Sequence, residues 1–527
     1  MFIAAYFILG CMLLAEGNLL IGTDIGTFGT KSVLVDAEGH ILAEAFQETD
    51  IISPRPLWAE QWPQVWLDAV CNTIREVLAK AKVNPSEVGG LAISGLYSGS
   101  GIPCDENMEP IRPCLIWMDR RAVEEVEWIR KNIGEEEIFR ITGNTIDTYF
   151  GFTKMLWLKF KEPKTWERIR QLVTINGYCI YRLTGVVCID YSSAGNYGGI
   201  FDIHKRDWSE KLMDEMGIPR SFFPEEIVEA KTVVGEVTEE GSKLSGLKKG
   251  TPVCAGGIDA PVAALSLGCI DEGEHSAMVG TSTCWSVIQD ELRLTPKLVN
   301  YPHVAYDRKK LYTFGGSATS GGMLRWFRDQ FGQIEVLLGK NVGLSPYKIL
   351  DLEAEKVPPG SEGLIVLPYF MGERTPIWDP YSKGLIIGLT LTHTRAHIFR
   401  ALMEGAAYAL RHNIETAKAN NIPLKPRMGI VDGGAKSPLW RRIFADVTKF
   451  PLVYIAEHPG TPLGDALLSG VGTGVLKGYE VIRDWVKAAD VDEPDPERSK
   501  IYDRYYELYL KLYEMNKNLY RELYNLT

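Results

Sequence analysis

Two stretches far apart in the chain read as the same device, and that repetition limits the fold more than any other feature. Leu19-Leu20-Ile21-Gly22-Thr23 is a short apolar strand entering Asp24-Ile25-Gly26-Thr27-Phe28-Gly29-Thr30, and Lys31-Ser32-Val33-Leu34-Val35 returns as a second strand. Asp36-Ala37-Glu38-Gly39 is turn chemistry, and residues 41–45 make a third strand. The spacing predicts an antiparallel hairpin whose tip carries glycine and threonine. From TPVCAGGIDA at 251–260 the pattern starts again. Residues 274–279 read as a strand, Gly280-Thr281-Ser282-Thr283 as its tip, and 284–288 as the return. A further strand over 427–431 enters Asp432-Gly433-Gly434-Ala435, with a helix from Ser437. Helices are expected near 63–82 and 122–132, and a buried strand at 91–94. The polar, turn-rich Lys248-Lys249-Gly250-Thr251-Pro252 marks the boundary between the halves.

Glycine at a hairpin tip lets the backbone approach an anion and turn its N–H groups towards it, while threonine and serine add hydroxyl donors. Two such tips facing each other would grip the β- and γ-phosphates of a nucleotide. Asp24 beside those donors would repel phosphate unless a Mg2+ ion lay between them. A single Asp-x-Gly-Thr could equally be a tight turn capped by its aspartate. Three in order, the last opening a helix, favour nucleotide phosphate. The chain has no GxxxxGK[ST] loop and no HRD and DFG pair, which excludes a P-loop enzyme and a protein kinase. For the proton of an acceptor hydroxyl the best base is Asp259, which follows Gly256-Gly257 and precedes the small-residue run Ala260-Pro261-Val262-Ala263-Ala264. The competing reading makes Asp259 the helix N-cap, and the two roles are compatible.

Composition enters as a filter. The 527 residues carry 57 Lys+Arg against 68 Asp+Glu, a net charge of −11, with 45% hydrophobic and 24% charged residues. This is a folded globular composition of several domains' length, not a disordered, collagen-like or polytopic membrane chain. Acidic excess without basic runs argues against a nucleic-acid partner. Nine cysteines with no CxxC imply reduced thiols rather than a disulfide framework or a zinc site. The apolar run 2–15 is too short for a bilayer span of about twenty residues, and no Lys or Arg precedes Lys31. An upstream extension of the true start, a membrane-contacting helix and a secretory signal are the three readings of it. The missing basic residues favour the first, with no stable membrane insertion and a cytoplasmic protein. Tyr502, Tyr505, Tyr506, Tyr509, Tyr513, Tyr520 and Tyr524 mostly fall at helical spacing in the helix expected over 499–526, as a packing stripe.

This ordered set resembles the FGGY carbohydrate kinases, of the actin–hexokinase–Hsp70 ATPase group. Residues 384–404 (GLIIGLTLTHTRAHIFRALME) are similar to the family's C-terminal signature throughout. Thr153-Lys154-Met155-Leu156-Trp157-Leu158 resembles the N-terminal one, with Gly151 where the family usually has Ser, Thr or Pro. Trp58-Ala59-Glu60-Gln61, residues 115–121 (LIWMDRR) and 431–440 (VDGGAKSPLW) are further landmarks, and the likeness runs from about 19 to at least 475. It implies an α/β fold of two RNase H-like domains around a central cleft. The expected division is an extension at 1–17, a sugar-side domain at 18–250, a nucleotide-side domain at 251–490 and a C-terminal helix at 491–527.

By the same resemblance, Asp259 is the catalytic base and Asp24 the Mg2+-linked aspartate. Thr27 and Lys31 lie on the first phosphate loop, Gly280 and Thr281 on the second, and Gly321 and Gly434 at the nucleoside of ATP. Tyr97, Ser98, Trp117 and Tyr149 contact the sugar. A homodimer is the assembly expected from family habit. Glycerol is disfavoured, because Ser94-Gly95-Leu96-Tyr97-Ser98-Gly99 stands where glycerol kinases carry Asn-Gln-Arg-Glu-Thr. The frame fits xylulokinases, although Leu96-Tyr97-Ser98 replace their Gln-Met-His, and Gly257-Ile258-Asp259-Ala260 looks partly like ribulokinases. The expected reaction is ATP-dependent phosphorylation of a primary hydroxyl of a ketopentose, D-xylulose foremost. Ribulose, gluconate or a tetrulose as acceptor, a non-catalytic sugar-responsive protein, and an actin- or Hsp70-like ATPase are the alternatives.

Overall fold

The computed structural model describes residues 17–526, so the apolar run at 1–16 lies outside the described residues. Two mixed sheets organise the chain. In the first, Leu19–Gly26, Gly29–Val35 and Ile41–Glu48 form an antiparallel meander. Val88–Gly95 and Pro252–Cys254 extend it in parallel, and Val233–Glu236 closes the edge antiparallel. The second sheet repeats that order. His275–Val279, Thr283–Gln289 and Leu311–Ser317 form the meander, Met428–Val431 and Leu452–Tyr454 add in parallel, and Asp490–Asp492 closes the edge antiparallel. Val299–Pro302 is an extra strand on its far side. Matching strand order in both halves accounts for the repeated hairpin in the sequence.

The central strands are buried on both faces, so they read as continuous apolar runs rather than alternating ones. Trp66, Val70, Ile74 and Val77 of the helix Pro63–Ala81 share a core cluster with Ile21, Leu34 and Leu91. The other face of that sheet is covered from the far end of the chain. Leu463, Ala466 and Leu467 of the helix Thr461–Thr473 pack with Leu20, Val33, Val35 and Ala92. The single cut at 250 therefore misstates the chain's path: Pro252–Cys254 belongs to the first sheet, and a helix from the second half covers it. Nor is the last segment a unit of its own. The helix Pro496–Leu526 buries Tyr502, Tyr506, Tyr509 and Tyr520 in the main core of the second lobe, as a packing stripe requires. The eight described cysteines are free thiols.

The signature stretch 384–404 has a structural role. It leads into the helix Arg395–Ala419, on which buried Glu404 accepts hydrogen bonds from Gly360 N, Ser361 Oγ, Arg400 Nε and Tyr502 Oη. One carboxylate thereby fixes a loop, its own helix and the C-terminal helix.

Candidate active site

Asp24 lies two residues before the end of the first strand of the meander, beside Ser94 on its parallel neighbour and opposite Lys31 on its antiparallel one. Gly256, at φ +64°, lets the chain turn against Ile93, where an added Cβ would lie 1.9 Å from the carbonyl oxygen. The turn delivers Asp259 to the first turn of the helix Asp259–Ser266, with Ile258 as N-cap. Asp259 is thus not the cap. Its Oδ1 accepts from Ala260 N at 2.7 Å. Burial pushes its pKa well above the usual carboxylate range, and the charge of Asp24 pushes it further. Burial raises Asp24 likewise, opposed by hydrogen bonds from Ser94 and Thr461.

A third carboxyl completes this cluster. Asp465, fully buried on the helix Thr461–Thr473, lies with Oδ2 2.6 Å from Ser94 Oγ, which is 3.1 Å from Asp24 Oδ1. A hydroxyl has one proton and cannot serve both carboxylates. Burial, then the charge of Asp24, holds the Asp465 pKa far above the carboxylate range. The Ser94 hydroxyl, within donating reach of both, satisfies one carboxylate at a time and so couples Asp465 to Asp24. Sequence reading missed Asp465, Thr461 and Ser94. The small-residue run around Gly464-Asp465-Ala466 was the only signal, and it carries no distance to Asp24.

Buried Asp465, its Oδ1 without a hydrogen-bond partner, with half-buried Asp24 and Asp259, is chemistry suited to a divalent cation. Among the described residues no three His, Cys, Asp or Glu side chains converge into a closed metal cage. Mg2+ needs none, since it binds through one or two carboxylates plus phosphates and water. Asp24 is the residue that would hold it.

The tips differ in what they offer. Thr27 Oγ1 accepts from Trp117 Nε1 at 3.0 Å, and Lys31 is held by Glu44 at 2.8 Å, its charge already partnered. In the second lobe the predicted residues come together. Ser320 N and Gly322 N donate to Thr281 O at 2.8 and 3.0 Å, and Gly321 N donates to Gly280 O at 2.9 Å. A Cβ on Gly321 would sit 2.5 Å from Gly280 O, and one on Gly434 2.4 Å from Val279 Cγ1. The Gly280–Thr281 tip, the start of the helix Gly321–Phe331 and the Asp432-Gly433-Gly434 turn thus form one glycine-lined surface. Buried Thr319 Oγ1 and Ser320 Oγ lack partners beside it, donors that suit a nucleotide.

The predicted sugar residues form an aromatic wall. Tyr149 lies 4.9 Å from Tyr97 and 6.4 Å from Trp117 between ring centroids. Lys154 holds Tyr149 in place, its Nζ donating to Tyr149 O at 2.9 Å. Tyr97 Oη accepts from Gly151 N, and a side chain at 151 would strike Gly99 O at 2.2 Å. This close approach explains glycine at 151. Ser98 behaves differently from the rest: it is buried, and its hydroxyl accepts from Ile175 N at 3.1 Å, so it secures the loop. Arg374, not foreseen from sequence, reaches this wall from the second lobe, its guanidinium 5.9 Å from the Trp117 ring.

Comparison with known proteins gives the same picture. The model of the FGGY family of carbohydrate kinases, N-terminal domain, matches residues 19–266, and that of the C-terminal domain matches 276–473. A xylulose kinase of Lactococcus lactis is 28% identical over 96% of this chain and 98% of its own length. A gluconokinase of Bacillus subtilis is 26% identical over 96% and 98%. The crystal structure of xylulose kinase from Rhodospirillum rubrum superposes with a TM-score of 0.86 at 29% identity, covering 95% of this chain and all of that one. Among the described residues no helix is long and apolar enough to cross a membrane.

Proposed function

As a member of the FGGY family of carbohydrate kinases, this chain is an ATP-dependent phosphotransferase acting on a sugar, and we propose that its acceptor is a ketopentose, D-xylulose foremost, phosphorylated on a primary hydroxyl. The observation that carries the reading is the half-buried Asp24–Asp259 pair, one on the first strand and one in the first turn of the helix Asp259–Ser266, close enough that the charge of Asp24 raises the pKa of Asp259. Asp259 receives the proton of the acceptor hydroxyl on its carboxylate and orients that hydroxyl in line with the phosphoryl group. Asp24, aligned by Ser94 and Thr461, would hold Mg2+, which would supply positive charge to offset that of the phosphates. Thr27 and the Gly280–Thr281 tip carry the phosphates, while Gly321 and Gly434 leave room for the nucleoside. Tyr97, Trp117 and Tyr149 pack against the sugar and exclude water, the competing acceptor. The protein works in the cytoplasm, where ATP is available, as a homodimer.

Gluconate is the second reading, because gluconokinases are nearly as similar to this chain as xylulose kinases are. ADP release with xylulose, ribulose, gluconate, glycerol and a tetrulose decides between them, xylulose giving the highest kcat/KM. Asp259→Asn should lower sugar-dependent turnover by about 10²–10⁴-fold with ATP binding retained. Turnover like wild type in that variant would sink the assignment.

A further inference from the structure

Buried arginines in this fold are paired, with one exception. Among the described residues Arg112, Arg374, Arg400, Arg411 and Arg441 are buried. Arg112 meets Glu60 at 2.8 Å, Arg400 meets Glu404 at 2.9 Å, Arg411 meets Asp503 at 2.8 Å, and Arg441 meets Asp490 and Asp492 at 2.6 Å. Arg374, only 9% exposed, has no such ion pair. Its Nη2 donates to Ser317 O at 3.2 Å, and its buried Nε has no hydrogen-bond partner. Neighbouring Glu373 feels its charge, but burial outweighs that attraction and the two form no ion pair. That carboxyl accepts through Oε1 from Ala318 N and Arg374 N, leaves Oε2 without a partner, and is pushed up to about 8 by burial.

The guanidinium lies between aromatic faces, 5.4 Å from the ring of Phe314 and 5.9 Å from that of Trp117. Ring faces are a weak substitute for a carboxylate around a desolvated cation. The location is informative. Trp117 donates to Thr27 at the first tip, and the phenol of Tyr149 senses the charges of both Arg374 and Asp259. Arg374 thus extends from the second lobe to the aromatic wall of the first, on the side where Asp259 meets the acceptor.

We propose that Arg374 is the anion-binding residue of the cleft, its guanidinium closing on anionic oxygens carried by a reactant. Those oxygens belong to the phosphoryl group in transit or to the carboxylate of an acidic acceptor. A planar fork of donors with Nε free suits either. The inference rests on the kinase reading, so its test includes binding measured without turnover.

The full-length protein, Arg374→Met and Arg374→Lys are compared in melting temperature, in calorimetric affinity for ATP, ADP, xylulose and gluconate with Mg2+ present, and in ADP release. Arg374→Met should melt at or above wild type, because it removes an unpaired buried charge. If the oxygens are those of the phosphoryl group, ATP loses its advantage over ADP and turnover falls by about 10²–10³-fold with every acceptor, Lys recovering part. If they are those of the acceptor, gluconate affinity falls by about 100-fold while ATP and xylulose bind as before. Binding of all four ligands within about twofold of wild type, with turnover equally unchanged, overturns the proposal. A wild-type protein that binds ATP but phosphorylates no sugar overturns the kinase reading, and the affinities of Arg374→Met still judge Arg374.

Discussion

The two hairpins share strand order and glycine-rich tips but divide the chemistry unequally. In the first lobe the acid sits on the opening strand, as Asp24, and faces two further carboxyls, Asp259 and Asp465. In the second lobe the opening strand ends without an acid at Val279-Gly280-Thr281, and the carboxyl beside that tip is Asp432, a solvent-exposed residue just past the parallel strand Met428–Val431. Lys436 opposes a rise in the pKa of Asp432, whereas the charge of Asp24 adds to the rise in that of Asp259. A duplicated scaffold has thus become one lobe that gathers carboxyl groups and another that offers close backbone approach at glycine, the division on which the proposed roles of base and nucleotide site rest.

That division can be tested from its largest consequence downwards. Asp24→Asn should reduce turnover by about 10³-fold and abolish the dependence of ATP affinity on Mg2+, read by calorimetry with and without the metal. Full Mg2+ dependence in the variant would return the metal to the second lobe. Gly321→Ala places a methyl against Gly280 O, and should raise KM for ATP by about tenfold or more with KM for sugar unchanged. An equal rise in both would blur the division. Within the first lobe, Asp465→Ala removes an acceptor of the Ser94 hydroxyl and should cost roughly tenfold in kcat, while Asp465→Asn keeps a carbonyl acceptor and stays near wild type. Asn as damaging as Ala would mean that Asp465 acts as a charged group.

The smallest effect is on stability. The pKa values of Asp24 and Asp259 are raised in the folded, metal-free protein, so it keeps protons that the unfolded chain has released. The cost is absent below the unfolded value near 4 and grows as pH climbs from there towards the folded values. Asp259→Asn should therefore melt a few degrees above wild type at pH 8, roughly 2–8 °C, with the gap closing towards pH 4. Mg2+-ATP should narrow the gap by supplying the missing counter-charge.

Local pattern made the hairpins, the helix Pro63–Ala81 and the tyrosine stripe legible, because each is written in consecutive residues at a period of 2 or 3.6. Asp24, Asp259 and the Gly280–Thr281 tip were legible for a similar reason: each lies within two residues of a glycine at a strand tip or turn. Asp465 and Arg374 were not. Their importance lies in contacts across 371 residues to Ser94 and from the second lobe to Trp117, which no periodicity encodes. Ser98 lies in the loop the sequence pointed to, and its hydroxyl also accepts from Ile175 N, a partner invisible in the sequence.

The helix Thr461–Thr473 has a consequence for how this protein can be taken apart. Because a late segment lies on the early sheet, the backbone passes between the lobes and then back again. A fragment ending at 250 would lack the strand Pro252–Cys254 and would expose Leu20, Val33 and Val35 where Leu463 and Leu467 should cover them. Neither half is an autonomous folding unit. Any closing of the lobes must also be shared by more than one backbone strand, so the pivot behaves as a multi-stranded flexure rather than a single swivel.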